Sequence, residues 1–582
     1  MAKFGYNKIS DTEAKFYYYA PLCESLDVEI DSTKQKISLK KDDKGYFSAT
    51  VPLMKEGTLY WLIKNNDIYM PDPFSKRQPF DIHNASMVTY PIASHNTEWK
   101  GVDIKDAIIY ELHLGTFTDE GTIKAATNKL NYIKSIGVNV IELLPICQFP
   151  GTRNWGYDGT YLYSIANCYG TLKDLHDFLE TAHKLGIAVI LDVVYNHFGP
   201  EGNYTGMLAN FMKTEQTPWG AAINFDQEDS QSIREIYLDN TEYWLREVGF
   251  DGFRMDAVSN IFDNSKVHIL TEINDLRLKI EKEEGRRIIN IAEHLRNKCW
   301  VTEENGAKFD SQWTDDLTYA LNAYLSGERF RSFGDFGELN YIDKILRESF
   351  AYDGTKYNCM MNCNSGEDGR NIEPHKLVVY SQNHDQIGNR PKADRFIATN
   401  GIDKALLATS VVFASPFTPM IFMGEEYGEM NPFYFFECYL DCFFIEGVKM
   451  CRKRDFEDIK DYIHKDSHDV NTFIQSKLDW ESQTEPTNSD ILEFYKAIIS
   501  LKKSNIIGQR TRDNLVINTD FNKSVIYIEN DKSITICNFS DKDYKLADLN
   551  TNGNTNIILT SKLSQKQNKD TLFAYSAIVL AK

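Results

Sequence analysis

From about residue 104 onward, short apolar runs alternate with amphipathic segments of helical length. Residues 107–114 and 138–146 are apolar runs, and residues 122–137 between them space their apolar side chains as one helix face would, up to Gly137. Strands that are apolar throughout are typical of parallel sheets, because both faces of such sheets are covered. The alternation of a buried strand with a capped helix therefore predicts parallel strand–helix–strand units.

Eight candidate strands follow this pattern, and eight is the number that closes a (β/α)8 barrel. After the first two, they lie at residues 187–197, 250–256, 287–293, 311–316, 376–382 and 418–424. We expect an α/β fold, a TIM barrel that spans residues 101–508 and holds long insertions at 195–235 and 428–483. Insertions that follow barrel strands usually shape the substrate site.

The regions on either side of the barrel alternate apolar and polar residues with a period of two. Residues 1–100 contain FYYYA, LDVEI and TLYWLI between polar turns, and residues 509–582 contain VIYIE, ITICN and AIVLA. This period predicts half-buried antiparallel strands. We expect an N-terminal β-sandwich domain before the barrel and a C-terminal β-sandwich domain after it.

Composition narrows the range of partners. The 582 residues include 64 Lys and Arg against 84 Asp and Glu, a formal net charge of −20, with no block of basic residues. Nucleic acid and anionic membrane surfaces need concentrated positive charge, so we expect neither as a partner. No apolar run approaches the ~18 residues of a membrane span, and the N-terminus lacks the apolar core of a signal peptide, which predicts a cytoplasmic protein.

The ten cysteines give no metal signature. Cys359 with Cys363, and Cys438 with Cys442, are spaced like metal-binding pairs. Neither pair has a second Cys or His pair at the spacing that zinc sites show. We therefore expect reduced thiols, no metal and no organic cofactor.

Four short stretches carry the candidate chemistry, and each lies where an apolar run ends. They read LDVVYNH, GFRMDAV, NIAEH and SQNHDQIGNR. Three of them deliver a carboxylate with no obvious cation beside it in the sequence: Asp256, Glu293 and Asp385. Acids at the carboxyl ends of barrel strands suit the protonation and trapping of an uncharged molecule, and a sugar is the natural candidate.

Hydrolysis of a glycoside with retention needs one ionised carboxylate and one protonated carboxyl group. Arg254 lies two residues before Asp256, so both side chains point to the same side of a strand, and the guanidinium should keep Asp256 ionised as a nucleophile. Glu293 ends an apolar run with no cation before it, and this setting should keep it protonated as the acid. Asp385 could stabilise the positive charge of the transition state or hold sugar hydroxyls.

Simpler roles for these side chains stay open at this point. An aspartate at a strand end can cap the next helix, and His197 or His384 can be a structural hydrogen-bond donor. Asn196 and His197 are candidate sugar-site residues, but Asp192 and Asn196 could instead form a calcium site. The order of the four stretches, each on a different predicted strand, favours catalysis.

The four stretches resemble, in order, the four sequence regions of the α-amylase family, glycoside hydrolase family 13. The resemblance implies that Asp256 is the catalytic nucleophile and Glu293 the general acid/base. It implies that Asp385 is the third carboxylate, which distorts and holds the sugar at the cleavage subsite.

The same resemblance implies binding roles for four further residues. Arg254, His197 and His384 would position the nucleophile and this sugar, while Tyr157, within NWGYDGTYLY, would stack beneath it. With Asn196, these residues complete the predicted substrate site.

Within the family, the chain looks most like the malto-oligosyltrehalose trehalohydrolase subfamily. The supporting stretches include YELHLGTFTDEGT, DVVYNHFGPEGNY, GEEYGE and SKLDW, and the carbohydrate-binding-like N-terminal domain fits the same layout. Such enzymes cut the α-1,4 bond next to a terminal trehalose. We expect loops 259–264, 294–300 and 315–321 to recognise that trehalose. The alternatives are a 1,4-α-glucan branching enzyme, a general α-amylase, and an inactive barrel that only binds.

Overall fold

The computed structural model describes residues 3–92, 98–457, 459 and 465–582, and its centre is a closed barrel of eight parallel strands. Neighbours along the chain pair with each other, and the last strand pairs with the first. The predicted (β/α)8 barrel is therefore confirmed. Its strands are β1 (Ile109–Leu112), β2 (Val140–Leu143), β3 (Ala188–Val193), β4 (Gly252–Met255), β5 (Ile289–Glu293), β6 (Ser311–Trp313), β7 (Leu377–Val379) and β8 (Thr418–Phe422).

Helices connect these strands and cover the barrel. The helix Leu172–Lys184 shows how the sequence sets its start: the Thr171 hydroxyl accepts from the Asp174 backbone N–H at 3.2 Å, and the Asp174 carboxylate accepts from the Thr171 backbone N–H at 2.9 Å. This reciprocal capping satisfies amide groups that lack partners within the helix. The other long helices are Ser230–Glu242, Ile269–Glu284, Asp316–Ser326, Leu339–Glu348, Ile402–Ala414, Cys442–Asp455 and Pro486–Lys503.

The helix predicted over residues 122–137 is divided in two. The structure has Ile123–Thr127 and Leu130–Ser135 as separate helices. Between them, the amides of Asn128 and Lys129 bond to carbonyls only three residues back, those of Ala125 and Ala126. Such tight 3₁₀-type bonds interrupt the α-helical pattern.

Antiparallel β-structure flanks the barrel on both sides, as predicted. Before the barrel, one sheet contains Gly5–Lys8, Glu13–Tyr19, Tyr46–Pro52 and Lys40–Lys41, and a second contains Gln35–Ser38, Leu26–Ile30, Leu59–Lys64, Ile68–Met70 and Ser86–Met87. After the barrel, five strands form one sheet: Val516–Asp520, Val525–Glu529, Ser533–Asn538, Ser576–Ala581 and Ile557–Thr560. The domain limits near residues 100 and 508 remain predictions.

Three excursions from the barrel lie beside the carboxyl ends of its strands. After β3 the chain forms the hairpin Met212–Thr217 and Gly220–Ile223, within the first predicted insertion. The second predicted insertion contains Cys442–Asp455, and its residues 458 and 460–464 lie outside the described residues. A third excursion follows β6 and carries the hairpin Asp353–Asn358 and Cys363–Gly366. We did not expect this third excursion.

Strand β4 begins with a glycine for a steric reason. Gly252 has a φ of 142°, and a Cβ atom at this position would lie 1.7 Å from the carbonyl oxygen of Ile289 on β5. No side chain fits such a gap, so glycine lets β4 and β5 approach closely.

Among the described residues, no helix is both long and apolar enough to cross a lipid bilayer.

Candidate active site

Arg254 lies at the centre of a buried polar cluster where β3, β4 and β5 end. Its Nη1 atom donates to Oδ2 of Asp192 and to Oδ1 of Asp256, at 2.8 Å in each case. Its Nη2 atom lies 2.9 Å from Oε2 of Glu293, an ion pair without hydrogen-bond alignment. The Trp313 ring covers the guanidinium at 4.1 Å. A fully buried cation needs such partners, and three carboxylates gather around this one.

Asp256 follows β4 and accepts hydrogen bonds on both carboxylate oxygens. Besides Arg254 on Oδ1, Nδ2 of Asn196 donates to Oδ2 at 2.7 Å and to the Asp256 carbonyl at 2.9 Å. Oδ1 of Asn196 contacts Nδ1 of His197, whose ring stacks on Trp219 at a centroid distance of 5.4 Å. Burial lowers the pKa of His197. The predicted residues Asn196 and His197 therefore lie next to Asp256.

Glu293 ends β5 and contacts the residue after Asp256. Its Oε2 atom accepts from the backbone N–H of Ala257 at 2.7 Å, and Ala257 has a φ of 40°, which is uncommon for a residue with a side chain. Burial raises the pKa of Glu293 well above its usual range; Arg254 opposes this rise and Asp256 adds to it. The expected cation-free, apolar setting is therefore wrong, because the guanidinium of Arg254 is in contact, although the expected direction of the pKa is found.

His384 follows β7 and is buried between a carboxylate and an aromatic ring. Its Nδ1 contacts Oε1 of Glu111, and its backbone N–H donates to Oε2 of Glu111 at 3.1 Å. Its Nε2 lies 2.8 Å from the hydroxyl of Tyr157, whose ring stacks on the imidazole at 5.2 Å. Burial lowers the pKa of His384, but Asp385 and Glu111 outweigh this effect and raise the pKa to about 9. His384 and Tyr157 thus form one unit.

Tyr157 links this unit to the guanidinium cluster. Its hydroxyl donates to Oδ2 of Asp192 at 2.7 Å, on the same oxygen that accepts from Arg254. Burial raises the pKa of Asp192 to about 7, against the lowering effect of Arg254. A continuous chain of contacts therefore runs from Glu111 to Asp256.

Asp385 is the most open of the three predicted acids. Its side chain is 39% exposed, against 11% for Asp256 and 10% for Glu293. Oδ1 of Asp385 accepts from Nδ2 of Asn389 at 3.1 Å and lies 3.6 Å from Nε2 of His384. Asp385 and Glu293 line one cavity of about 190 Å³, so a ligand there can reach both carboxyl groups.

A second cavity, of about 200 Å³, also opens onto Glu293, and we call it the Glu293 cavity. Two of the loops expected to recognise trehalose line it, 294–300 and 315–321. The remaining wall comes from the excursion after β6. The side chains that these segments supply include Leu295, Asn297, Asp315, Tyr319, Tyr352, Asn358 and Met360. Residues 259–264 line neither of these two cavities, and the recognition of trehalose by all three loops remains a prediction.

Two further buried carboxyl groups, Glu111 and Glu142, were not among the predicted site residues, although Glu111 lies in the stretch YELHLGTFTDEGT. They are register partners on β1 and β2, and both are buried. Burial raises the pKa of Glu142 well above its usual range, and Glu111 adds to the rise. A signal did exist, because an acid inside an otherwise apolar strand is costly to bury unless it is paired or protonated.

The described residues offer no ready metal centre. They contain no group of three or more His, Cys, Asp or Glu side chains arranged to hold a metal ion. Asn196, the candidate calcium ligand, has its amide engaged with Asp256 and His197. All ten cysteines are unpaired. Independence from metal and cofactor remains a prediction.

A family model described as "Alpha amylase, catalytic domain" matches residues 83–219 and 221–514. The chain belongs to the α-amylase family. It is therefore a member of a family of glycoside hydrolases, and the strand-end acids Asp256, Glu293 and Asp385 lie within the matched region.

Curated relatives within the α-amylase family carry a more specific name. A malto-oligosyltrehalose trehalohydrolase from Saccharolobus solfataricus is 42% identical over 86% of this chain and 87% of its own length. Further relatives with the same name are 31% to 37% identical over 77% to 90% of this chain. A 1,4-alpha-glucan branching enzyme from Clostridium perfringens is 27% identical over 68% of this chain and 63% of its own length.

A solved structure extends the likeness to the whole chain. The crystal structure of a Salmonella typhimurium protein, described there as a candidate alpha amylase, has a TM-score of 0.90 and 30% sequence identity, and the match covers 100% of both chains. The β domains that flank the barrel are therefore part of the shared architecture.

Proposed function

We propose that this enzyme hydrolyses malto-oligosyltrehalose at the α-1,4 bond next to the terminal trehalose and releases trehalose. The observation that carries the proposal is the set of relatives with that name, which match most of the chain at up to 42% identity. The substrate is an uncharged glucan, which suits a chain with a net charge of −20. We further propose that the enzyme works in the cytoplasm.

In the first step, Asp256 attacks the anomeric carbon while Glu293 gives its proton to the bridging oxygen, so that the bond to trehalose breaks. In the second step, Glu293 takes a proton from water, which attacks the same carbon and releases Asp256 with the configuration retained. The contact of Arg254 with Oδ1 of Asp256 supports the proposed role of Asp256, because the guanidinium fixes the orientation of this side chain. The raised pKa of Glu293 supports a proton donor near neutral pH.

The remaining predicted residues would hold the sugar at the cleavage subsite. Asp385 is the most exposed of the acids, so we propose that it accepts hydrogen bonds from sugar hydroxyls. His384 and Tyr157 would support that sugar as one stacked unit. Asn196 would orient the nucleophile directly, because it donates to Oδ2 of Asp256.

We propose that trehalose leaves through the Glu293 cavity, because the group protonated by Glu293 must lie beside it. The wall is anchored by Asp316, whose Oδ2 accepts from the side chain of Asn297 at 3.0 Å and from the backbone N–H groups of Ala351 and Tyr352 at 2.7 and 3.0 Å. A fixed polar wall discriminates well, because a ligand that fails to pair with buried polar groups leaves them unsatisfied. A linear glucan follows a different path from the bent 1,1-linked disaccharide.

A branching enzyme would form the same covalent intermediate and pass the glucan to a sugar hydroxyl instead of water. The Clostridium perfringens relative gives this second candidate its support, at lower identity and coverage than the trehalohydrolases. The two functions differ in their products, since branching creates α-1,6 bonds, whereas hydrolysis creates a new reducing end, together with free trehalose when the substrate is malto-oligosyltrehalose.

The test is a product analysis of the purified full chain. Maltopentaosyl-trehalose, maltoheptaose and amylose are incubated in parallel, with Asp256→Asn as the matched inactive control. We expect free trehalose from the first substrate and slower hydrolysis of the other two. New α-1,6 linkages on amylose would favour the branching enzyme, and random shortening of amylose without preference would favour an α-amylase.

A further inference from the structure

We infer that Glu111 is a positioning residue for the reaction: it clamps His384 through both the side chain and the main chain, and thereby orients Tyr157 and Asp385 at the cleavage subsite. The inference rests on the proposed function of this site. Glu111 lies on β1, whereas His384 follows β7, and the two positions are 273 residues apart.

The clamp uses both oxygens of one fully buried carboxylate. Oε1 of Glu111 contacts the imidazole Nδ1, and Oε2 accepts from the His384 backbone N–H at 3.1 Å. A single carboxylate therefore fixes where the segment after β7 starts and how the imidazole is rotated. The contact with Glu111 raises the pKa of His384, so we assign Nδ1 as the donor to Oε1.

The orientation of the imidazole matters because its other nitrogen faces the site. Nε2 lies 2.8 Å from the Tyr157 hydroxyl and 3.6 Å from Oδ1 of Asp385. Tyr157 passes the contact to Asp192, which shares Arg254 with Asp256. Removal of the clamp would therefore loosen the platform that we assign to the sugar, with no direct contact between Glu111 and substrate.

The charge of His384 follows from the groups that face it. Burial lowers the pKa of His384, Asp385 from the segment after β7 and Glu111 from β1 raise it, Arg254 from β4 lowers it, and the net value is about 9. Other titratable groups that face His384 are His113, which follows β1, Glu142 from β2, Asp192 from β3 and the Tyr157 hydroxyl. His384 is thus an imidazolium over the neutral range and loses its charge as the pH rises through about 9.

The first variant to test is Glu111→Gln. The amide keeps the shape of the side chain but replaces one acceptor oxygen by a donor, so one of the two His384 donors loses its partner. We expect kcat/KM to fall roughly tenfold to a hundredfold at pH 7, the range for loss of a hydrogen bond to a charged group. We also expect the alkaline decline of kcat/KM to move to lower pH, because a neutral His384 becomes easier to form.

Glu142→Gln is the matched control. Glu142 is an equally buried neighbour of Glu111 in the adjacent strand, and its Oε2 atom has no hydrogen-bond partner among the described residues. Burial raises its pKa, so an amide resembles the protonated acid that it replaces. We expect a smaller fall in kcat/KM than in Glu111→Gln, and an alkaline decline at the same pH as in the wild type, because Glu142 is protonated and does not hold His384 by hydrogen bonds.

A double-mutant cycle with His384→Asn separates positioning from general structural damage. If Glu111 acts through His384, Glu111→Gln should cost less than about twofold once His384 is already replaced. Additive losses, or a loss in Glu111→Gln with an unshifted pH profile, would overturn the inference. If Glu111→Gln does not fold, an NMR titration of the His384 ring in the wild type decides: a pKa near 9 supports the clamp, and a value near 6.5 contradicts it.

The assay uses whichever α-glucan the wild type cleaves fastest. A wild type that hydrolyses maltodextrins without releasing trehalose would defeat the proposed function, yet the cycle would still test the clamp. A wild type that releases trehalose while the cycle is additive would defeat the clamp alone.

Discussion

Strand β4 carries an aspartate at each end, and the surroundings of the two aspartates differ. Asp251, before the strand, has two hydrogen-bond donors on each carboxylate oxygen. Oδ2 accepts from Nε2 of His183 at 2.8 Å and from the Val189 backbone N–H at 2.9 Å. Oδ1 accepts from Trp99 at 2.7 Å and from Arg286 at 3.1 Å. Burial alone would raise the pKa of Asp251, but His183 and Arg286 outweigh it and the pKa is lowered.

Asp256, after the strand, lies in a cluster with more acids than cations. It shares Arg254 with Asp192 and Glu293, and burial raises the pKa of both neighbours, that of Asp192 to about 7. A surplus of buried carboxyl groups forces some of them to retain protons, which is what a proton donor needs. We propose that Asp251, which donors satisfy fully, contributes to stability, whereas Asp256, which competes with other acids for one cation beside a cavity, takes part in catalysis.

The largest expected effect is the loss of turnover in Asp256→Asn. The amide keeps the size of the side chain but cannot form the covalent intermediate, so we expect kcat to fall by at least about 10²–10⁴. The thermal midpoint should stay close to that of the wild type. A near-normal kcat in a folded variant would mean that Asp256 is not the nucleophile, and that its role does not differ from that of Asp251 in the way proposed.

Glu293→Gln should lose activity in a way that depends on the leaving group. On malto-oligosyltrehalose, we expect a loss of about 10²–10⁴, because the bridging oxygen departs unprotonated. On a glucoside with an acidic aryl leaving group the loss should be much smaller, because protonation matters less. The two rate ratios, measured side by side with the wild type, check the role; equal losses on both substrates would mean that Glu293 is not the acid.

The barrel strands and the three acids at their ends were predictable from the sequence, but the contacts of these acids were not. The barrel strands were predictable because both faces of each are buried, which leaves uninterrupted apolar runs. Asp256, Glu293 and Asp385 were visible because they end such runs. The contacts around these acids were not predictable. Glu111 binds His384 across 273 residues of sequence. The Ala257 amide can donate to Glu293 because Ala257 has a φ of 40°, and the sequence does not indicate this backbone conformation.

The wall of the Glu293 cavity was harder still to predict. Its outer part comes from the excursion after β6, where the hairpin strand Asp353–Asn358 reads DGTKYN and has a single buried residue, Asn358. A strand with one buried residue leaves no apolar pattern to detect. Its placement depends on Asp316, which bonds to the backbone of Ala351 and Tyr352, and such long-range contacts have no local signature.

Asp251→Asn should give the converse of Asp256→Asn. Loss of the charge leaves His183 and Arg286 without their shared carboxylate, and we expect a destabilisation of roughly 3–5 kcal/mol, seen as a lower thermal midpoint. Because the pKa of Asp251 is lowered, its contribution is present above the usual carboxyl range and is lost as the pH falls through the lowered value. The free energy of unfolding of Asp251→Asn should therefore fall less steeply than that of the wild type as the pH decreases. Its kcat at low temperature should stay within about twofold, and a large loss of kcat in folded protein would break the comparison.

The smallest expected effect is that of metal removal. Asn196 directs its amide to Asp256 and His197, so we expect dialysis against a chelator to leave both kcat and the thermal midpoint unchanged. The matched control is the same dialysis followed by calcium. Activity that is lost in chelator and restored by calcium would indicate that Asn196 is a metal ligand, and that the polar cluster around Arg254 and Asp256 needs a calcium ion.

The most direct test of the whole account compares two substrates of seven glucose units. Maltopentaosyl-trehalose and maltoheptaose have the same length and differ only in the linkage of the terminal pair, so the ratio of their kcat/KM values isolates recognition in the Glu293 cavity. We predict a ratio of at least about 10², because the wrong disaccharide leaves buried polar groups of the cavity wall unpaired, with trehalose as the product. Equal values of kcat/KM would contradict the account and leave a general α-amylase.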